Sequence, residues 1–531
     1  MKKLFLSTLI LLLFVANIFG QYSSVLAQGN WYKIATNKSG VYKLSYSSVK
    51  DLGVAVNNLQ ISAIKLYGNG GGMLPKLNSD FRHDDLVENA IKIHDSNNNG
   101  VFESEDYILF YGQSPHTWEF NESDGLFHHT THLFTDEVNY FLTIDNQLLG
   151  ERIEKNLVVL NATKTIATFS TFSFHEVEAE NLIHSGKEWF GERFDIQNSQ
   201  SFDFNFPNLD QSSPVSVKTA VVARSFDNSS FSIQANSNPL NTISVNKVVS
   251  TYATEYAKTA SKTTSFTSSS SAVKINVDYT SSDNGALAWL NYIEVNARRE
   301  LKMSGNSLLF RDASLIANEV GSFNLENASS ATIVWDVTDA TAVTEMQTTI
   351  TGTTLSFNDS INTLHEYIAF NNSSYLIPTL KGSISNQNLH NIGSDVEYVI
   401  VSHPNFLSAA ERLANFHEDK DNLSSVIVTP QQIYNEFSSG VQDVTAIRDF
   451  LRMLYKRPNS QLKYVLLFGD GSYDPKNRVE NNTNYIPTYQ SVNSTHPTLS
   501  YVTDDYFGLL DDNEGLFAND LVDIGVGRFP V

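Results

Sequence analysis

The chain contains no cysteine. It can therefore form no disulfide and offers no thiolate as nucleophile or metal ligand. Positive charge is also scarce: 36 basic residues face 58 acidic ones, for a formal charge of -22, and no Lys/Arg-rich stripe offsets it locally. Binding to a phosphate backbone is not expected on that ground, and nucleic acid is not an expected partner. Long apolar runs are confined to the first residues, and no later segment approaches the roughly 20 apolar residues of a membrane span. What the chain does have is bulk. Over 531 residues, 41% are apolar, with 33 Phe and 23 Tyr, enough for several cores. At about 100 to 200 residues per domain, about three domains are expected.

Lys2 and Lys3 precede apolar runs at Leu4–Leu6 and Leu9–Ala16, broken by Asn17 and Gln21. Small-residue patterns follow at Val25-Leu26-Ala27 and, less regularly, at Gly20. Residues 1–27 read as a signal peptide, so the chain is expected to be exported, without a transmembrane segment in its mature part.

From Trp31 to Ile144, short strand signals alternate with turns: Tyr32–Ala35, Gly40–Ser45, Ile61–Tyr67, Ala90–His94, Tyr107–Tyr111 and Tyr140–Ile144. Residues 28–150 are expected to form a small β domain. Ser201-Phe202-Asp203-Phe204-Asn205-Phe206 alternates with period two, the mark of a half-buried strand. The Ser/Thr-rich tract Val248–Ala272 reads as a flexible linker or an exposed strand pair, whereas Ala288–Val295 and Ala331–Val337 read as strands. Residues 151–390 are thus expected to be β-sandwich-like or jelly-roll-like.

Beyond Asp395 the pattern changes. Strands at Val396–Val401, Val426–Val428 and Tyr464–Phe468 alternate with helical spacing at Phe406, Ala410, Leu413 and Phe416 or His417. A second helix, capped by Asp443, carries Ile447, Phe450, Leu451 and Leu454 on one face. This order predicts a parallel sheet covered on both faces in residues 391–531. Asp523–Val531 reads as a strand with no covering helix after it, so the α/β unit is expected to be incomplete and the chain to be the N-terminal portion of a longer protein.

Among chemistry-bearing patterns, Asp95–Asp106 is the most specific. Asp95, Asn97, Asn99, Glu103 and Asp106 place oxygens at loop positions 1, 3, 5, 9 and 12, Gly100 falls at position 6, and Val101 offers a carbonyl at position 7. A structural Ca²⁺ is expected there; the plain alternative is a polar hairpin turn. His128, His129 and His132 could share a zinc only on a helix, and no helix signal surrounds them, so a structural role is expected. Gly68–Gly72 lacks the Lys-Ser/Thr of a phosphate loop and reads as a turn. Asp470 and Asp474 replace the glycines of a nucleophile elbow around Ser472, which argues against a serine hydrolase. Asp470, Asp474, Asp504 and Asp505 lie near expected strand ends as a candidate substrate or cation rim. Asp511, Asp512 and Glu514 read either as a solvated loop or as part of the same rim.

Taken together, Tyr464–Asp474, Ile486–Ser491, Thr503–Gly508 and Gly525–Pro530 resemble the gingipain-type (C25) cysteine peptidases, most of all the type IX secretion sortase branch. Ser39–Leu44, Tyr67–Gly72, Tyr107–Gly112, Ser185–Glu192 and Asp443–Asp449 agree. The resemblance implies a β-rich region ahead of a caspase-like α/β peptidase domain of two subdomains, only the first of which falls in this chain. It also implies residence at the cell surface or outer membrane, with an outer-membrane partner protein. The implied activity is removal of C-terminal signals from secreted cargo proteins and attachment of that cargo to surface lipopolysaccharide. The family's catalytic His and Cys lie beyond Val531, so no catalytic residue carries over; His403, His417 and His496 are expected to be structural or solvated. The isolated chain is expected to be inactive. The alternative is a non-enzymatic, calcium-stabilised surface binding module.

Overall fold

In the computed structural model, the described residues are 23–157, 161–251, 254–315, 319–372, 375–515 and 519–531. Residues 1–22 of the expected leader lie outside them. Among the described residues no helix is long and apolar enough to cross a membrane.

The first body pairs a five-stranded sheet with a three-stranded one. The larger sheet runs in the order Thr379–Ile384, Trp31–Thr36, Val138–Ile144, Ile64–Tyr67, Glu88–Asn89, all antiparallel. The smaller joins Gly40–Ser45, Tyr107–Gly112 and Lys92–His94. Ile34, Leu66, Tyr140 and Leu142 from the first sheet meet Tyr42, Leu44, Ile108 and Phe110 from the second in one core. Residues 28–150 do not close this body alone, because its edge strand Thr379–Ile384 arrives from far along the chain. Ile61–Ala63 forms a 3-10 turn rather than extending the next strand.

The middle region is built on a ten-stranded sheet whose long central strand is Leu287–Glu300. A four-stranded sheet, Ser199–Asn205, Ala272–Ser281, Ser229–Ala235 and Asn238–Val245, packs over it. Phe202, Phe204 and Phe206 are all buried while Ser201, Asp203 and Asn205 face solvent, so the period-two reading is correct for that strand. A second four-stranded sheet stacks Phe323 and Phe357 onto Phe310 and Tyr367. The Ser/Thr-rich tract supplies an edge strand, Lys258–Phe266, antiparallel to Val215–Arg224. It is ordered by ladder hydrogen bonds despite having little to bury, which favours the strand reading over the linker.

In the C-terminal region, β1 (Tyr398–Ser402), α1 (Leu407–Asp421), β2 (Ser425–Val428), α2 (Pro430–Phe437), α3 (Val444–Tyr455), β3 (Tyr464–Phe468) and β4 (Gly525–Phe529) follow in chain order. The sheet order is β2-β1-β3-β4, all parallel. Alternation sorts the side chains. Val399, Val401, Val465 and Leu467 face α2 and α3, while Tyr398, Ile400, Leu466 and Phe468 face α1. Thr429 and Gln432 form a capping box on α2 with Pro430 in its first turn, a start worth about 1 kcal/mol. Asp443 caps α3, whose Ile447, Phe450, Leu451 and Leu454 are all buried as the spacing predicts. On α1 the inward face is Ala410, Leu413 and Ala414, with His417 edge-on to Tyr398, whereas Phe416 is 54% exposed. The protein is thus a β-rich assembly followed by a caspase-like parallel-sheet subdomain.

Candidate functional site

In an α/β sheet of this kind, ligands bind outside the carboxyl ends of the strands. Those ends include Ser402, Phe468 and Phe529, and the loop that begins at Gly469 is tied to them by Gly469 N to Phe529 O (3.0 Å) and Asp470 N to Val531 O (3.2 Å). Arg528 organises the platform. Its Nε donates to Asp504 Oδ2 (2.7 Å) and Nη2 to Asp504 Oδ1 (2.7 Å) and Pro487 O (3.3 Å), while Nη1 donates to Gly469 O (2.9 Å) and Ile486 O (2.7 Å). Every donor of the guanidinium fork has a partner, a geometry that lysine cannot reproduce. Asp504 also accepts from Thr488 Oγ1 at 3.0 Å.

The four rim carboxylates do not converge. Asp474 is fully buried and accepts from Lys476 N, Val479 N and Arg478 Nη1, which makes it the pin of its own loop. Asp504 is bound to Arg528. Asp470 accepts from Gly471 N and Thr483 Oγ1, and Asp505 alone of the four is exposed. Asp511 and Asp512 pair with Arg452 and Lys456 at the C-terminal end of α3. His403 packs at a tilt against the Tyr485 ring (4.6 Å), with burial lowering its pKa, and His417 pairs with Asp421 on α1. His496 accepts from Thr498. Each of these histidines is used locally.

The β-rich part docks directly on this platform. Lys187 N donates to Ser491 O (3.0 Å), Glu188 N to Ser494 Oγ (2.7 Å), and Ser500 Oγ to Ser185 Oγ (2.7 Å). Gly186 sits between them at φ +82°, and a Cβ there would lie 2.2 Å from Asn493 O. His184 and Trp189 stack on Tyr473, and Arg478 covers the Trp189 ring at 4.6 Å. Glu178 receives Lys476 and Arg478. Lys187 lies 4.3 Å from the Tyr489 ring, and burial lowers its pKa to about 8. The segment Ser185–Glu192, noted only as a resemblance, is therefore a docking element.

A second seam joins the glycine-rich turn to the helices. Leu74 N donates to Asp443 Oδ2 (2.9 Å) and Asn69 N to Ser439 Oγ (3.3 Å), around a cavity of about 260 Å³ that Arg82, His83, His132 and Asp443 line. Burial raises the Asp443 carboxyl to about 6. Gly68–Gly72 is the turn expected of it. Sequence reading missed the next contact, because its partners are 46 residues apart: buried Glu436 accepts from Leu389 N (2.8 Å) and pairs with His390 Nδ1 (2.6 Å). Burial opposes the His390 charge, but the Asp84 and Glu436 carboxylates outweigh it and raise the pKa to about 10.

The histidine cluster splits: His128 and His129 lie on the hairpin strand Leu126–Thr130, and His132 follows it. His129 bridges Glu294 and Glu176 at 2.6 Å each, and His128 bridges Glu294 (2.8 Å) and Asp124 (3.0 Å). His132 turns away, and burial lowers its pKa to about 3. These residues fasten the hairpin to the middle sheet and do not converge as a zinc set.

The Asp95–Asp106 loop is folded by hydrogen bonds between its own side chains and amides. Asp95 accepts from Asn99 N and Gly100 N, Asn97 and Asn99 accept from the amides two residues on, and Gly100 takes φ +78°. Both Asp106 oxygens accept backbone N–H groups, from Ser96 and Glu103. Its carboxylates do not close to within 4.8 Å; among the described residues Asp336, Asp359 and His365 do so, as do Asp511, Glu514 and Asp523. Both of those groups are already engaged, for example through Tyr367 OH to Asp359 and Leu510 N to Asp523.

The model of peptidase family C25 matches residues 392–531. No curated protein sequence matches the chain. Among solved structures, dimeric latent PorU from Porphyromonas gingivalis is similar at a TM-score of 0.82 and 26% identity, covering 96% of this chain and 48% of that one. The chain thus spans about half the length of that relative. The CBM36-1 domain of a xylanase from the Trinervitermes trinervoides hindgut metagenome matches at a TM-score of 0.17 and 10% identity over 24% of this chain and 96% of that one. The Bacillus thuringiensis endotoxin Cry8Ea1 also matches at 0.17, with 11% identity over 47% of this chain and 55% of its own. Neither of these two bears on fold or function. Residues 392–531 match the model of peptidase family C25, and the chain as a whole is similar in architecture to latent PorU.

Proposed function

We propose that this chain is the β-rich region and first catalytic subdomain of an exported, outer-membrane-associated cysteine peptidase and transpeptidase of the type IX secretion sortase kind. In this reading the whole protein removes the C-terminal signal of secreted cargo and joins the new carboxyl end to surface lipopolysaccharide. A thiolate attacks the cargo carbonyl, the signal peptide departs with the proton on its amine, and an amine resolves the thioester. The observation that carries the reading is the likeness to latent PorU over 96% of this chain, the β-rich part included. The contribution of these residues is positional. Arg528 and Asp474 set the loops at the strand ends, and the Ser185–Glu192 segment holds the β-rich part against them.

With no cysteine, these 531 residues supply no thiolate nucleophile. The test is a cargo peptide carrying its C-terminal signal. The purified chain is expected to leave it intact, and the native protein to cut it in an iodoacetamide-sensitive way. Thiol-dependent turnover by the purified chain would overturn the proposal. Calcium in the Asp95–Asp106 loop is a companion proposal. The alternating oxygens and the Gly100 bend support it, with Asp95, Asn97, Asn99, Val101, Glu103 and Asp106 as the donor set.

A further inference from the structure

The small-residue rule favours a leader cut after Ala27, with Gly20 the less regular choice. The packing of the residues between them points the other way. Leu26 is completely buried in a cluster with Trp31, Leu86 and Phe141. Val25 N donates to Asp85 Oδ2 (2.7 Å) and Ser24 Oγ to Asp85 Oδ1 (3.2 Å). On the other side Ser24 N donates to Asn388 Oδ1 (2.9 Å), while Leu26 O accepts from Gln387 N (3.1 Å) and Asn386 Nδ2 (3.1 Å). Ser23 Oγ accepts from Asn388 Nδ2 at 3.0 Å. The segment therefore straps the first sheet to residues 386–388, which lead into the peptidase subdomain.

A cut after Ala27 would remove that strap. It would open a leucine-sized void beside Trp31 and Phe141 and strip the half-buried Asp85 carboxylate of its bonds from Val25 and Ser24, leaving Leu86 N. Trp31 and its strand would then begin behind exposed Gln28, Gly29 and Asn30.

We propose that export processing hydrolyses the Gly20–Gln21 bond, so that the mature chain begins at Gln21 and keeps Ser23–Ala27 as a structural strap. The inference rests on the reading of the N-terminus as an export leader. The leader peptidase of the host adds water across the bond: the oxygen goes to the Gly20 carboxyl and the proton to the Gln21 amine. That amine can then attack its own side-chain amide carbon and expel ammonia, so a cyclised Gln21 counts as the same start.

The test is to express the full chain with its own leader in an exporting Gram-negative host and to read the N-terminus of the envelope or periplasmic product by mass spectrometry. A start at Gln21 is expected. A start at Gln28, or at any residue beyond Ser23, overturns the proposal while leaving export standing. A retained Met1 overturns the export reading and the proposal with it. Leaderless chains beginning at Gln21 and at Gln28 provide a second measurement. The amides of Trp31, Phe141 and Gln387 are expected to exchange about tenfold or more faster in the shorter chain, as for loss of local packing. Equal protection in the two chains overturns the strap.

Discussion

Replacing Arg528 by alanine removes the hub that joins β4 to the loop across the strand ends. The guanidinium makes two bonds to Asp504 and three to the carbonyls of Gly469, Ile486 and Pro487. The pair is mostly but not fully buried, with side-chain exposures of 13% and 24%. Truncating one member of a fully buried pair costs about 3–5 kcal/mol. The remaining exposure lets water solvate the stranded carboxylate, so the lower end, about 3 kcal/mol, is expected here. A chain of several bodies does not unfold in one step, so a local assay is needed. Hydrogen exchange of Gly469, Asp470 and Ile486, whose amides bond to Phe529 O, Val531 O and Asp470 O, reads this loop directly. At about 1.4 kcal/mol per decade, exchange should quicken on the order of 100-fold in the alanine variant. Arg528→Lys keeps the charge but not the fork and should fall between. Unchanged protection in Arg528→Ala would refute the idea that this residue holds the platform.

Other consequences follow from the same geometry. The pKa of His390 is raised to about 10, above its ordinary value, so the pair with Glu436 stabilises fully below pH 6.5 and its contribution is lost as pH rises toward 10. Glu436→Gln should lose about 3 kcal/mol near pH 6 and flatten that pH dependence in urea unfolding followed at residues 386–392; an unchanged slope contradicts the pairing. Gly186→Ala places a Cβ against Asn493 O at positive φ and should release the Ser185–Glu192 segment, exposing residues 473–500 to limited proteolysis. Resistance equal to the unaltered chain would argue against docking there. If the Asp95–Asp106 loop binds Ca²⁺, EGTA should lower the melting midpoint and calcium restore it, since a folded-state ligand stabilises by mass action. No shift reduces the loop to a turn.

The parallel sheet was legible because its strands are continuous apolar runs and its helices carry strong caps at Thr429 and Asp443. Ser201–Phe206 was legible for a similar reason, its alternation being set by one buried face. Closure of the first sheet by Thr379–Ile384 was not, since pairing partners separated by hundreds of residues leave no local signal. The same holds for Glu436 with His390 and for the docking of Ser185–Glu192, which depend on tertiary proximity. Carboxylates near strand ends misled at Asp474 because sequence gives position along the chain but not the direction of the side chain. It points inward to Arg478 and the amides of its own loop.

In the proposed reading these residues serve a thiol peptidase whose nucleophile they do not contain. The direct measurement is to capture the native polypeptide with an antibody to the β-rich region and treat it with a cysteine-directed probe while following cleavage of a cargo C-terminal signal. A labelled cysteine, cleavage, and loss of cleavage on labelling are expected. A native polypeptide without a reactive cysteine, or cleavage indifferent to its modification, would contradict it.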